Sequence, residues 1–173
     1  WARCSTDLAP GEAERGSPTD PTAYGGSVDT LRTIARRLLG AFLIFTGTGH
    51  LSFARTEFQA QVPSWIPVAA DLVVLVSGVV ELALGLALLV APRRWQGRVG
   101  WVVAAFFVAI FPGNLAQWAE GRDAFGLDSD AARAVRLLFQ PVLVAWALWS
   151  TGAWQQWRDR RDSVSSGRAE PRR

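Results

Sequence analysis

The sequence predicts an all-α fold, a transmembrane up-down four-helix bundle. Two observations carry that prediction: four long stretches are nearly free of charge, and the charges crowd into the tails and three short connections. A third is that arginine and tryptophan flank those stretches, as membrane topology requires. The averages conceal the pattern. Half of the 173 residues are apolar and 19% are charged, which a soluble domain would also show.

Residues 1–30 come first. Pro10, Gly11, Gly16, Pro18, Pro21, Gly25 and Gly26 stand there among polar side chains with no apolar period. Such a segment buries too little surface to order itself. It is predicted to be either a disordered tail or sequence upstream of the true start, with Val28 or Leu31 as a sensible opening. No apolar run of the secretory type precedes Leu38, so no cleavable signal peptide is expected.

Residues 31–157 are predicted to form the membrane domain. The first span reads Leu38–Ala54, led by Arg32, Arg36 and Arg37; the second runs over Ile66–Val90. The third covers Val99–Ala119 and the fourth Ala134–Thr151. At ~1.5 Å per residue each approaches the ~30 Å thickness of the hydrocarbon layer. None carries the polar stripe that a helix of a soluble bundle needs. Backbone polar groups in lipid must be satisfied internally, and these stretches are too long for barrel strands. Helices joined by short connections then pack as antiparallel neighbours. Residues 158–173, rich in arginine, are predicted to be a disordered tail.

All eighteen positive charges are arginine. Three precede the first span, Arg93, Arg94 and Arg98 lie in the second connection, and Arg158, Arg160 and Arg161 follow the fourth span. The first connection has Arg55 beside Glu57; the third offsets Arg122, Arg133 and Arg136 with Glu120, Asp123, Asp128 and Asp130. This asymmetry predicts both termini on the cytoplasmic side of a plasma (inner) membrane. Trp65, Trp95, Trp101, Trp118, Trp154 and Trp157 fall near span ends, where indole suits the interface. A pI near 10.3 invites a nucleic-acid reading. The arginines form no such surface, so no nucleic-acid partner is expected, and the lipid bilayer is.

Gly40, Gly47 and His50 share one helical face, and Gly78, Glu81 and Gly85 share another. Small residues let membrane helices approach closely, so these faces are predicted to meet. A carboxylate near the bilayer centre costs about 2.5–3.5 kcal/mol on insertion scales, which singles out the polar residues at depth. His50, Asp71 and Asn114 lie at similar depth from one end and form a candidate polar layer, with Glu81 deeper and by itself. Gln140, just before Pro141, is slightly deeper on the fourth helix. An imidazole beside a carboxylate can carry protons, and an amide can orient a carbonyl ligand. Equally, these groups can simply hydrogen-bond across helices, Asp71 can lie at the water boundary, and Arg36 or Arg37 can reach Glu81 as a structural pair. Pro112 and Pro141 each remove a helical hydrogen bond and kink their spans. Pro112, adjoining Gly113 and Asn114, marks a place where a helix opens beside a ligand or bends for packing alone.

The ordered set "GTGH" (Gly47–His50), "VPSWIP" (Val62–Pro67), "SGVVELALG" (Ser77–Gly85) and "FPGN" (Phe111–Asn114) resembles the DoxX-like family of small bacterial four-span membrane proteins, including its DoxD branch. The likeness extends over about residues 31–150, with Gly113 where alanine is commoner. It implies a membrane subunit or partner of an oxidoreductase system, with quinone as a possible ligand and thiol-stress or oxidoreductase proteins as possible partners. It also implies pocket or packing roles for His50, Pro63, Pro67, Gly78, Glu81, Pro112 and Asn114. A structural or assembly partner and, less favoured without an internal repeat, a small-solute transporter are the alternatives. The lone Cys4 excludes an internal disulfide, dithiol chemistry and a cysteine metal cluster. With one histidine and no dinucleotide fingerprint, an accessory subunit is expected rather than an independent enzyme, and no metal site is.

Overall fold

The computed structural model describes residues 21–126 and 129–167, with side chains for 26–126 and 129–166. Its helices are α1 (Pro21–Leu51), α2 (Arg55–Gln59), α3 (Ala70–Val90), α4 (Arg93–Ala119), α5 (Asp130–Ser150) and α6 (Ala153–Gly167). There is no strand among the described residues. α3, α4 and α5 are long and apolar enough to cross a membrane. α1 is longer still, but Arg32, Arg36 and Arg37 fall in its middle and the Gly47–His50 run near its end. Its uninterrupted apolar stretch is therefore the shortest of the four.

Several boundaries differ from the sequence reading. α1 begins at Pro21, so residues 21–30 are helical rather than part of a disordered tail. Proline suits the first helical position, since its missing N–H would have no partner there. Residues 1–20, including Cys4, lie outside the described residues. The expected second span loses its first residues, because α3 starts only at Ala70. Pro63 and Pro67 disfavour the helical conformation in Val62 and Ile66 before them. α2 occupies part of what reads as a plain connection. α6 covers much of the arginine-rich segment predicted to be disordered. Its first turns are anchored by Trp154 against Trp157, with centroids 5.1 Å apart, and by Arg161 over Trp157.

Two glycines end helices by adopting the left-handed backbone that other residues avoid. Gly121 (φ 62°) follows α4, where its N–H reaches Trp118 O and that of Arg122 reaches Gln117 O. Gly152 (φ 68°) turns the chain from α5 into α6. Ser129 caps the start of α5 by accepting from the Ala132 N–H at 3.2 Å.

Packing is pairwise and uneven. α1 runs along the length of α3, α4 along α5, and α1 also touches α5; α3 meets α4 only slightly. The glycine faces of α1 and α3 lie against each other. A Cβ on Gly47 would come 2.8 Å from the Gly78 carbonyl, and one on Gly85 2.7 Å from the Gly40 carbonyl. The buried core is small: Leu39, Leu43, Leu88, Val103, Ala104, Phe107 and Ala147. Outside it, large apolar side chains such as Phe45, Val79, Leu86, Val102 and Val142 are exposed all round. In water that surface would aggregate; in a bilayer it is the lipid-facing coat.

Candidate functional site

A cavity of about 530 Å³ opens in the half of the molecule away from the arginine-rich helix starts. Its walls are apolar and aromatic, from Phe42, Trp65, Ile66, Phe107 and Leu143 among others. Among the polar side chains that line it, from four helices, are His50, Glu81, Asn114, Arg136 and Gln140, with Thr46, Gln61 and Ser77 beside them.

His50 sits near the end of α1, 8% exposed, because Gly47 and Gly78 bring α1 onto α3 at that level. Its Nδ1 lies 3.3 Å from the Val74 carbonyl. A carbonyl only accepts, so Nδ1 carries a proton, and Nε2 is the nitrogen left to exchange one. Nε2 faces Glu81 Oε1 at 3.8 Å. Glu81 is 5% exposed, and its Oε2 has no hydrogen-bond partner among the described residues. Glu81 is therefore not by itself, as the sequence suggested. Nor does Arg36 reach it: the Arg36 guanidinium donates to the Leu88 carbonyl, nearly two turns further along α3.

The other side of the cavity is built on two prolines. Pro112 lies within α4 and Pro141 within α5. Gln140 Nε2 donates to the Phe107 carbonyl, in the turn that Pro112 loosens, and Asn114 Nδ2 donates to Gln140 Oε1 at 2.9 Å. Gly113 lets the backbone at Gln61, just before the Val62–Pro67 segment, approach, since a Cβ there would stand 2.8 Å from the Gln61 carbonyl. Pro63 is thereby buried against the cavity, whereas Pro67 stays exposed at the entry to α3.

Asp71 does not join this group. It sits in the first turn of α3, where both its oxygens accept from Arg55 and Oδ1 also accepts from Gln59 at 2.8 Å. α2, invisible as a helix in the sequence reading, supplies both partners. The hydrogen bond to Asp71 pushes the Arg55 guanidinium further above its ordinary range. The predicted His50–Asp71–Asn114 layer is thus replaced by a His50–Glu81 pair facing an Asn114–Gln140 pair.

Arg136 is a cavity residue that sequence reasoning misses, because along the chain it reads only as a loop charge. The structure sorts those charges. Arg122 pairs with Glu120, and Arg133 with Asp123 (2.6 Å) and Asp130 (3.0 Å). Arg136 has no ion pair with a described carboxylate, and it turns toward the cavity. Its guanidinium lies 5.3 Å from the ring centre of Phe125, whose ring packs edge-on against Phe58, which in turn lies 3.5 Å from the His50 ring. Phe125 holds a left-handed backbone (φ 55°), and its N–H is fixed by Glu57 Oε2 at 2.7 Å. A bulky residue in that region is strained by about 1 kcal/mol or more. The signal available in the sequence was arithmetic: an arginine one turn inside an apolar stretch.

Helices of spanning length and composition, a lipid-type exterior and a polar pocket inside it define an α-helical membrane protein. The chain belongs to the DUF8561 family, a domain of unknown function, whose model matches residues 39–151. That stretch holds the whole polar set of the cavity. No curated protein and no solved structure matches the chain.

Proposed function

We propose that this protein is a four-span bacterial inner-membrane protein with both termini in the cytoplasm, and that it binds a quinone-type amphiphile as an accessory subunit of a membrane redox system. The observation that carries this reading is the cavity itself: polar donors and a His–Glu pair within apolar and aromatic walls, at membrane depth. Ionisable side chains there are costly and normally serve a function. α1 counts as the fourth span because its apolar half runs along α3 throughout. Arginine at the shared end of α1, α4 and α6 supports the orientation. The DoxX-like resemblance supports the redox assignment.

The residues fit such a ligand. A quinone offers carbonyl acceptors on a flat ring; Arg136 is a donor without an acid partner among the described residues, and Asn114 has an amide hydrogen beyond the one given to Gln140. His50 Nε2 and Glu81 can hold or pass a proton beside that ring. When bound, the quinone would supply the electron-carrying chemistry, while the protein supplies orientation and proton exchange.

The test is titration of the purified protein in nanodiscs with a short-tail benzoquinone, read as quenching of tryptophan emission; Trp65 lines the cavity. Saturable binding is expected, weakened about tenfold in Arg136→Gln and in His50→Ala. Equal quenching by all three folded proteins would remove the assignment. A second reading has its own support: His50 and Gln140 both bond the backbone of a neighbouring helix, which is what helix staples do. It expects those variants to lose stability and no separate binding event.

A further inference from the structure

A second cavity, of about 550 Å³, lies at the opposite end of the molecule, between the N-terminal half of α1, the start of α4 and the α5–α6 turn. Its character is the reverse of the first. Arg32, Arg36 and Arg93 line it, and none of the three makes an ion pair with a described carboxylate. Arg36 is 6% exposed and holds the Leu88 carbonyl with one nitrogen. Two buried polar atoms in this wall have no partner among the described residues: Arg32 Nε and Ser150 Oγ, the latter in a residue 3% exposed. A buried donor left unmade costs about 1–3 kcal/mol, so this wall favours an acceptor-rich ligand.

The wall is also shaped for close approach. A Cβ on Gly97 would collide with the Gln156 amide, and one on Gly100 with the Thr151 hydroxyl. These two glycines seat the α5–α6 turn on α4 and so place Ser150 and Gln155 at the cavity. Asp29 and Asp159 line it too, but both are exposed at its rim. Three guanidinium groups against two rim carboxylates leave an excess of positive charge within.

What stands beside the cavity identifies the ligand further. Gln155 also lines a groove of about 870 Å³ on the outer face of α4 and α5, walled by Val108, Phe111, Leu138, Val144 and Trp149 among others. Trp95, Trp154 and Trp157 are exposed around this end, at the level where indole meets lipid head groups. A basic polar chamber adjoining a long apolar groove at that level matches an amphiphile with a phosphate head and acyl tails. We propose that this end of the protein is a phospholipid site, with the phosphate held by Arg32, Arg93 and Ser150 and an acyl chain along the α4–α5 groove. The site is independent of the quinone reading.

The experiment uses the full chain, stripped of lipid in detergent and titrated with short-chain phosphatidylglycerol, with a diacylglycerol of equal tails, and with inorganic phosphate. Binding is followed by native mass spectrometry and by the shift in melting temperature. Phosphatidylglycerol is expected to bind at least about tenfold more tightly than either control, with Arg32→Gln weakening it about tenfold and Ser150→Ala about threefold. His50→Ala should leave it unchanged. Equal binding of the diacylglycerol would overturn the phosphate site, and equal binding of inorganic phosphate would overturn the lipid assignment. Ser150→Ala removes a hydroxyl with no partner among the described residues, so it keeps the fold even where Arg32→Gln does not. Unaltered affinity in that variant would also overturn the proposal.

Discussion

The α1–α3 pair and the α4–α5 pair solve the same problem in opposite ways. α1 and α3 approach on bare backbone, with Gly40 and Gly47 set against Gly85 and Gly78. α4 and α5 each carry a proline and are tied by the hydrogen bond from the Asn114 amide to the Gln140 amide and by the one Gln140 donates to the Phe107 carbonyl. Where no side chain intervenes, packing leaves no room. Where prolines loosen the helices, room remains and amides hold the shape. The cavity lies between a rigid wall and an adjustable one, and the difference says which wall a mutation can alter without collapse.

The largest expected effect is at the rigid wall. Gly78→Leu would drive a side chain into the His50 Cβ, 2.7 Å from where its own Cβ must sit, and into the Gly47 carbonyl. A loss of about 3 kcal/mol or more is expected in detergent unfolding, together with loss of any cavity ligand. A variant as stable as wild type would show that α1 and α3 can part freely. Next comes the adjustable wall: Asn114→Leu, Gln140→Leu and the double variant should give a coupling of about 0.6–1.7 kcal/mol in a double-mutant cycle. Zero coupling would mean that the amides do not act together. Smaller again is Arg136→Gln, expected to cost about 0.5–1 kcal/mol through the lost contact with the Phe125 ring, since no ion pair to a described carboxylate is lost. Its larger effect should appear in quinone binding. Smallest is Asp71→Asn, expected to leave both melting and binding unchanged, since the Arg55 pair is half-exposed and outside the cavity. A binding defect there would return Asp71 to the site.

Helical class and the glycine faces were legible because period and residue size are local properties of the chain. His50, Glu81, Asn114 and Gln140 stood out because polar groups are conspicuous among apolar ones. What could not be read was which of them meet. Asp71 and His50 share a depth, yet Arg55 and Gln59 on a five-residue helix hold Asp71 elsewhere. Arg136 was hidden by its neighbours, because a charge tally along the chain cannot tell which arginines the acids will neutralise. The helical content of residues 21–30 and 158–167 is not legible either, since it owes little to any apolar period.

The slight contact between α3 and α4 has a consequence for how anything reaches the inner chamber. The thinnest seam between neighbouring helices around it lies between α3 and α4, two helices of membrane-spanning length and composition. A greasy molecule dissolved in the bilayer would meet that seam by lateral diffusion, in two dimensions. Occupancy would then follow its mole fraction in the membrane rather than its concentration in water.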